Sequence, residues 1–456
     1  MTDNNGDGIN QDIFKAYDIR GKVGEELTPD VARRIGQAFA EWLEVDGPVA
    51  VGYDMRPDSE ELSAAFMEGL TMQGRDVWNI GRVASDMIYF VVGKFGLAGG
   101  AVVTASHNPG EYNGIKLCRE QAGAVGLDTG LADIRDFATA NNFDPVEAQG
   151  KIHTKDVMDD WVEHALGFID RENLKPYKIA IDAGNGMAGH VKPHVTKHLP
   201  FDVHEMYYDL DGTFPNHEAN PLKVETLQDL QERIREHELD FGIAFDGDGD
   251  RAVLVDEKGD PLSGSVLSAI LARYFLEKNP GATVLYNAIC SNIVPETIEK
   301  HGGTPVRTRV GHSIIKNNMR EHDAVFAGEH SGHYYFDDNW KADSGLIAAM
   351  AAIDVLNKSG GTLSELADEF RVYHNIVETN FEVEDKQAVL EHVAAHYEKH
   401  HADVDWLDGI TVRFGNGDWF NLRPSNTEPL LRMNAEASKP EALDQLVDEV
   451  KSVAGL

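Results

Sequence analysis

The chain has 456 residues, 42% of them hydrophobic, with 77 acidic against 41 basic side chains and a formal net charge of −36. That length holds about three or four domains, and a surface this acidic excludes a nucleic-acid binder and argues against docking on anionic membranes. The cysteines, Cys118 and Cys290, are far apart and outside any C-x-x-C pattern, so a disulfide framework is excluded and a reduced, cytoplasmic setting is expected.

The N-terminal stretch Met1–Gly8 is polar and acidic and lacks the basic and apolar regions of a signal peptide. Its Asp3–Asp7 spacing faintly resembles a calcium loop but reads as a frayed tail. No run of about 18 apolar residues occurs, so no transmembrane helix is expected. Short β-branched runs then alternate with amphipathic stretches. Pro29–Leu43 and Leu62–Met72 read as helices flanking a strand that starts at Val49. Runs starting at Ala101, Lys178 and Thr283 read as strands, and Thr226–His237 and Gly264–Leu276 as helices. This alternation predicts α/β architecture with mixed, largely parallel sheets. Beyond about Val372 the order is strand, helix Gln387–His400, strand Gly409–Phe414, strand Trp419–Leu422 and helix Leu443–Val453, an α+β end domain. Polar segments near Asn141–Gly150, Asp256–Pro261 and Gly360–Thr362 read as boundaries. The expected domains are 1–152, 153–256, 257–371 and 372–456.

Several segments carry chemistry. Thr104-Ala-Ser-His-Asn-Pro109 follows a strand run and puts Ser106 on a strand-end loop, where α/β sites form. No G-x-S-x-G elbow exists to make Ser106 a hydrolase nucleophile. Gly184-Asn-Gly-Met-Ala-Gly189 matches G-x-G-x-x-G, with Asp209 about 20 residues on, so a dinucleotide-dependent oxidoreductase is a rival reading. Against it, Asp182 puts negative charge where a pyrophosphate would lie, and a tight strand-to-helix turn is the simpler reading. Asp246-Gly-Asp-Gly-Asp-Arg251 places three carboxylates at i, i+2 and i+4, with glycines that let the backbone wrap. Crowded carboxylates repel and want a cation; oxygen ligands suit Mg²⁺. Glu257 stands at the twelfth position an EF-hand requires, but Arg251 occupies the sixth, where that loop needs Gly, so the EF-hand is rejected, and a non-enzymatic acidic calcium binder stands only as a third function class. His312 and Lys316 lie four apart on one helical face. Gly328-Glu-His-Ser-Gly-His333 suits sugar hydroxyls or an ordinary surface turn. Arg423-Pro-Ser-Asn-Thr-Glu-Pro429 offers an Arg fork, hydroxyls and an amide for a phosphate dianion, while Ser425 and Glu428 also have the spacing of a capped helix start.

Together with Phe14-Lys-Ala-Tyr-Asp-Ile-Arg-Gly21, these segments resemble the motifs of the α-D-phosphohexomutase family, most closely its phosphomannomutase/phosphoglucomutase branch, in the family's order over nearly the whole chain. The resemblance implies four domains around a central cleft, three α/β and one α+β. It implies that Ser106 is the phosphoserine, holding Mg²⁺ with Asp246, Asp248 and Asp250, and that Lys116 transfers a proton. Arg20, Arg251 and His333 match positions near the reacting groups. Glu329 and Ser331 match the sugar-binding pair, His312 a ligand-contacting histidine, and Arg423, Ser425, Asn426 and Thr427 the clamp on the non-reacting phosphate. Two departures stand out. Val83-Ala-Ser-Asp-Met87 replaces a Thr-Pro pair of many members, and Ile289 stands where some relatives have a basic residue.

The implied reaction interconverts hexose 6-phosphate and hexose 1-phosphate of mannose or glucose. It runs through phospho-Ser106 and a 1,6-bisphosphate, which also serves as activator. A phosphoglucosamine mutase is the alternative. The expected partners are small hexose phosphates, with no nucleic acid or membrane, on a monomer or small homo-oligomer. The charge of −36 suits a salt-rich cytoplasm, where self-repulsion is screened.

Overall fold

The computed structural model describes residues 8–425 and 430–456. They form two compact units, one running to Pro261 and including His333–Thr362, the other made of Leu262–Gly332 and Leu363–Leu456. The chain thus changes unit at Pro261 and Thr362, within segments that read as boundaries. It also changes at Gly332, inside the Gly328–His333 motif, which does not figure among the expected boundaries.

The first unit holds a mixed sheet in the order Ile19–Lys22, Tyr112–Arg119, Gly99–Val103, Val49–Tyr53, Val77–Arg82, Ile152–Thr154. Val49–Tyr53 runs parallel to both neighbours, whereas Tyr112–Arg119 is antiparallel to Gly99–Val103 and to Ile19–Lys22. Gly99–Val103 is buried throughout, as a continuous apolar run requires. The helix Pro29–Trp42 starts at Thr28, whose side chain accepts from Val31 N, with Pro at its first turn. It buries Ala32, Ile35 and Phe39 against the sheet's core. A second sheet has the order Ala252–Asp256, Phe241–Phe245, Lys178–Asp182, Asp202–Met206, its last three strands parallel. The hairpin Tyr334–Phe336/Ala342–Asp343 leads into helix Gly345–Ser359, capped by Ser344.

In the second unit, Thr283–Asn287 lies parallel between Thr304–Thr308 and Phe326–Gly328. An antiparallel sheet follows, built on Leu430–Ala437, which pairs with Trp419–Pro424, Thr379–Glu382 and His374–Asn375. Helices Lys386–Lys399 and Pro440–Ala454 share its core through Leu390, Val393, Leu443 and Val450. Leu430–Ala437 is absent from the elements expected from sequence. Its alternation of Leu431, Met433, Ala435 and Ala437 is strand-like, but Arg432, Asn434 and Glu436 between them mask the apolar run.

Candidate active site

Ser106 sits on the loop that leaves Gly99–Val103. Its φ of 52° is left-handed for a non-glycine residue, a conformation costing about 1–3 kcal/mol unless the surroundings impose it. They do. Ser106 N donates to Thr104 Oγ1 at 3.0 Å, and Thr104 Oγ1 donates to buried Asp54 at 2.7 Å. Arg56, 3% exposed, donates to four loop carbonyls: Ser106 at 2.9 Å, Asn108 at 2.6 Å, Pro109 at 3.0 Å and Tyr112 at 2.9 Å. Asp54 and Arg56 were not singled out from sequence; their only signal is Asp-Met-Arg-Pro at the end of a strand.

The three aspartates of the Asp246–Arg251 loop converge as expected. Asp246, Asp248 and Asp250 are buried, and their ligand oxygens lie within 4.8 Å of one another. Ser106 Oγ donates to Asp246 Oδ2 at 2.9 Å. Gly249, at φ 78°, makes the wrap; Gly247 instead permits contact with the Ser106 backbone. Lys116, next to Val102 in register, donates to Asp248 Oδ2 and Asp250 Oδ2, each at 2.6 Å. Burial alone would lower the Lys116 pKa, but these carboxylates outweigh it and hold it well above its ordinary value. Burial likewise works against ionised Asp248, yet Lys116, Ser85 and Ser106 keep its pKa well below the usual carboxylate range. Asp246 moves the other way, pushed well up by burial and by Asp250 and Asp248. Asp248 Oδ1 and Asp250 Oδ1 are buried without a hydrogen-bond partner. Bare carboxylate oxygens around one point fit a hard divalent cation.

Three more expected residues border this cluster. Arg20 donates to Asp18 at 2.9 Å and to Asn108 Oδ1 at 2.5 Å. Arg251 Nε donates to His333 Nε2 at 3.2 Å, which makes that nitrogen an acceptor and puts the ring proton of neutral His333 on Nδ1. His333 Nε2 is 3.6 Å from Asp250 Oδ1. Asp343, unmarked in the sequence, joins Asp250 and His333 in a second group of ligand atoms within 4.8 Å.

The second unit gathers another set. Glu329 Oε2 accepts from Asn287 Nδ2 at 3.0 Å and from Gly311 N at 3.5 Å. Gly311 caps the helix His312–Glu321, so His312 opens the helix beside Glu329, with Lys316 one turn on. Ser331 is half-buried in the same loop. His330, not singled out from sequence, contacts Ser265 Oγ at 3.0 Å. Arg423 ends the strand Trp419–Pro424 and donates to Glu378 Oε2 at 2.7 Å. Ser425 N donates to Leu430 O at 2.8 Å, and Glu428, the other half of the capped-helix spacing, lies outside the described residues. Asn426 and Thr427 lie outside the described residues.

The rival motifs resolve structurally. A Cβ at Gly186 would come within 2.5 Å of the Gly247 carbonyl, and Met187 N donates to that carbonyl at 2.8 Å. Gly186 therefore serves close packing against the aspartate loop, while Gly184 turns the chain at φ 52° and Gly189 packs on the Tyr208 backbone. Ala252–Asp256 after that loop is a strand, where an EF-hand needs its binding loop to continue. The departing segment Val83–Met87 also has a task, since Ser85 Oγ donates to Asp248 Oδ2 at 2.5 Å and Ser85 N to Asp248 O at 3.0 Å. Ile289 is buried.

The site thus brings a buried serine to a carboxylate triad with lysine and arginine around it, groups suited to phosphoryl chemistry. Residues 11–144, 159–259 and 263–373 match the alpha/beta/alpha domains I, II and III of phosphoglucomutase/phosphomannomutase, and residues 378–453 match its C-terminal domain. A phosphohexose mutase of Xanthomonas campestris is 42% identical over 432 residues, covering 94% of this chain and 96% of that protein. The phosphomannomutase of Escherichia coli K12 is 41% identical over 433 residues, covering 93% and 94%. A phosphoglucomutase/phosphomannomutase family protein from Burkholderia thailandensis has a crystal structure that superposes with a TM-score of 0.90 at 32% identity, covering 98% of each chain. The chain belongs to the phosphoglucomutase/phosphomannomutase family, and it is an enzyme of the intramolecular phosphotransferase class.

Proposed function

We propose that the chain interconverts hexose 6-phosphate and hexose 1-phosphate, mannose phosphates foremost and glucose phosphates second, through phospho-Ser106 and a hexose 1,6-bisphosphate. The observation that carries this reading is Ser106 Oγ, held at 2.9 Å from Asp246 in a loop that Arg56 and Gly247 fix in a left-handed conformation. Mannose comes first because the Escherichia coli relatives bear the name phosphomannomutase.

Phosphoryl transfer is mainly positioning and charge stabilisation. A sugar hydroxyl oxygen bonds to the phosphorus as the bond from phosphorus to Ser106 Oγ breaks, and the hydroxyl proton passes to a base. Lys116 is the base in this reading; bound to two carboxylates it is an ammonium ion, so it must first release a proton to water, once those carboxylates are otherwise engaged, before its neutral amine takes the hydroxyl proton. Asp246, Asp248, Asp250 and the Ser106 side chain would hold Mg²⁺, which when bound offsets charge on the phosphoryl oxygens. Arg20 and Arg251 add fixed positive charge. His333 Nε2, already accepting from Arg251, serves to hold that guanidinium in place. Glu329, Ser331 and His312 take sugar hydroxyls, and Arg423 with Ser425, Asn426 and Thr427 takes the phosphate that does not react. The bisphosphate turns over and returns its other phosphate to Ser106; added bisphosphate primes dephosphorylated enzyme.

No helix among the described residues is long and apolar enough to cross a membrane; that the enzyme is cytoplasmic is part of the proposal. The test is a panel of mannose, glucose and glucosamine phosphates assayed with Mg²⁺ and a hexose bisphosphate. Interconversion of mannose or glucose phosphates supports the reading, and turnover of glucosamine phosphate alone overturns it.

A further inference from the structure

Two guanidinium groups oppose each other in the antiparallel sheet of the second unit. Arg423, at the end of Trp419–Pro424, is in register with Arg432 on Leu430–Ala437. Like charges directly opposed across two strands repel. Between them lies Glu378, one residue ahead of the strand Thr379–Glu382, which pairs with the other edge of Leu430–Ala437. Glu378 Oε2 accepts from Arg423 Nη2 at 2.7 Å and from Asn434 Nδ2 at 3.0 Å, and its Oε1 accepts from Arg432 Nη1 at 3.4 Å. One carboxylate thus ties together three side chains from two strands. Burial alone would raise its pKa, but Arg423, Asn434 and Arg432 outweigh burial and hold it below its ordinary value, so it is ionised.

Arg423 Nε is buried and has no hydrogen-bond partner among the described residues. A buried donor left unmade is costly, and an anionic oxygen at that point removes the cost. Glu378 engages Nη2 and leaves Nε, so it holds the plane of the fork without filling the position an anion would take.

We propose that Glu378 is a positioning residue for phosphate recognition: by bridging Arg423 and Arg432 it fixes the Arg423 fork so that Nε faces the non-reacting phosphate of the substrate. The inference rests on the clamp reading of Arg423 given above. A carboxylate beside the clamp also opposes a dianion, so its removal has two possible signs. If Glu378 merely competed with phosphate, its loss would tighten binding. If it preorganises the fork, its loss frees a long side chain that must then be ordered at binding, and affinity falls.

The experiment measures KM and kcat for a hexose phosphate in wild type, Glu378→Ala, Glu378→Gln and Arg423→Ala, with thermal unfolding of each. Positioning predicts that Glu378→Ala raises KM about tenfold, with a smaller fall in kcat, as expected for loss of one charge-assisted contact. Glu378→Gln keeps an acceptor for Arg423 Nη2, so it recovers part of the loss, and it carries the test if the alanine variant does not fold. An unchanged or lowered KM in a folded Glu378 variant overturns the proposal. An unchanged KM in Arg423→Ala overturns the clamp reading itself, and the proposal with it, whereas a raised KM there and normal KM in both Glu378 variants overturns the proposal alone.

Discussion

Gly247 lies so close to Ser106 that a Cβ at position 247 would come within 2.5 Å of the Ser106 carbonyl oxygen. The loop that carries the aspartates and the loop that carries the serine are therefore in backbone contact. The same glycine accepts from Met187 N on its other side, so three loops from two sheets fix one another.

Gly247→Ala must push the Ser106 loop away from Asp246. A displacement of roughly 1 Å at a reacting group costs on the order of 100-fold in rate. The expected outcome is a loss in kcat of that order, with Mg²⁺ still bound and a well-folded core by circular dichroism. An unchanged kcat would mean that the contact between the loops has no part in catalysis.

Asp246, Asp248 and Asp250 act as a unit in this account. Single Asn substitutions should each weaken Mg²⁺ binding and cut turnover, and the double substitutions should cost less than the sum of the singles. Calorimetric Mg²⁺ titration of the set checks this. Unchanged metal dependence in all three single variants would place the metal elsewhere.

Much of the site was readable from residue chemistry. Three aspartates at alternate positions with intervening glycines point to a cation because crowded carboxylates repel, and they do converge. Ser106 was marked by its place after a strand. The supporting residues were not readable, because they act through contacts that only the fold creates. Arg56 lies 50 positions before Ser106, and Glu378 lies 45 before Arg423. The change of unit after Gly332 falls inside one motif, which supplies Glu329 and Ser331 to one unit and His333 to the other. The strand Leu430–Ala437 went unread because its buried Asn434 and Glu436 look like solvent-facing residues.

His217 gives a pH signature from outside the aspartate triad. Its Nε2 lies 3.0 Å from buried Asp182 Oδ2. Burial alone would lower its pKa, but Asp182 outweighs burial and raises it above the ordinary histidine value. A folded pKa raised above the unfolded one adds stability that is fully present below the unfolded value, and lost as pH rises through the folded one. The gap in unfolding temperature between wild type and His217→Gln should therefore be larger at about pH 5.5 than at about pH 8.5. An equal gap at both would exclude an ionic contribution from this pair.

The net charge of −36 opposes both a compact chain and a dianionic substrate. Molar salt shortens the Debye length to about 3 Å and removes most of that repulsion. Adaptation to a salt-rich cytoplasm predicts that unfolding temperature and kcat/KM both rise from low to molar KCl. Flat or falling curves would assign the charge to another cause.

The central claim is that Ser106 carries the phosphoryl group. The direct measurement is mass spectrometry of the protein after incubation with a hexose 1,6-bisphosphate, beside the turnover of Ser106→Ala in the same bisphosphate. The account predicts one phosphate located on Ser106, absent from the variant, and turnover lower by several orders of magnitude with the fold intact. A folded Ser106→Ala enzyme with near-normal turnover, or a phosphate found on another residue, would contradict it.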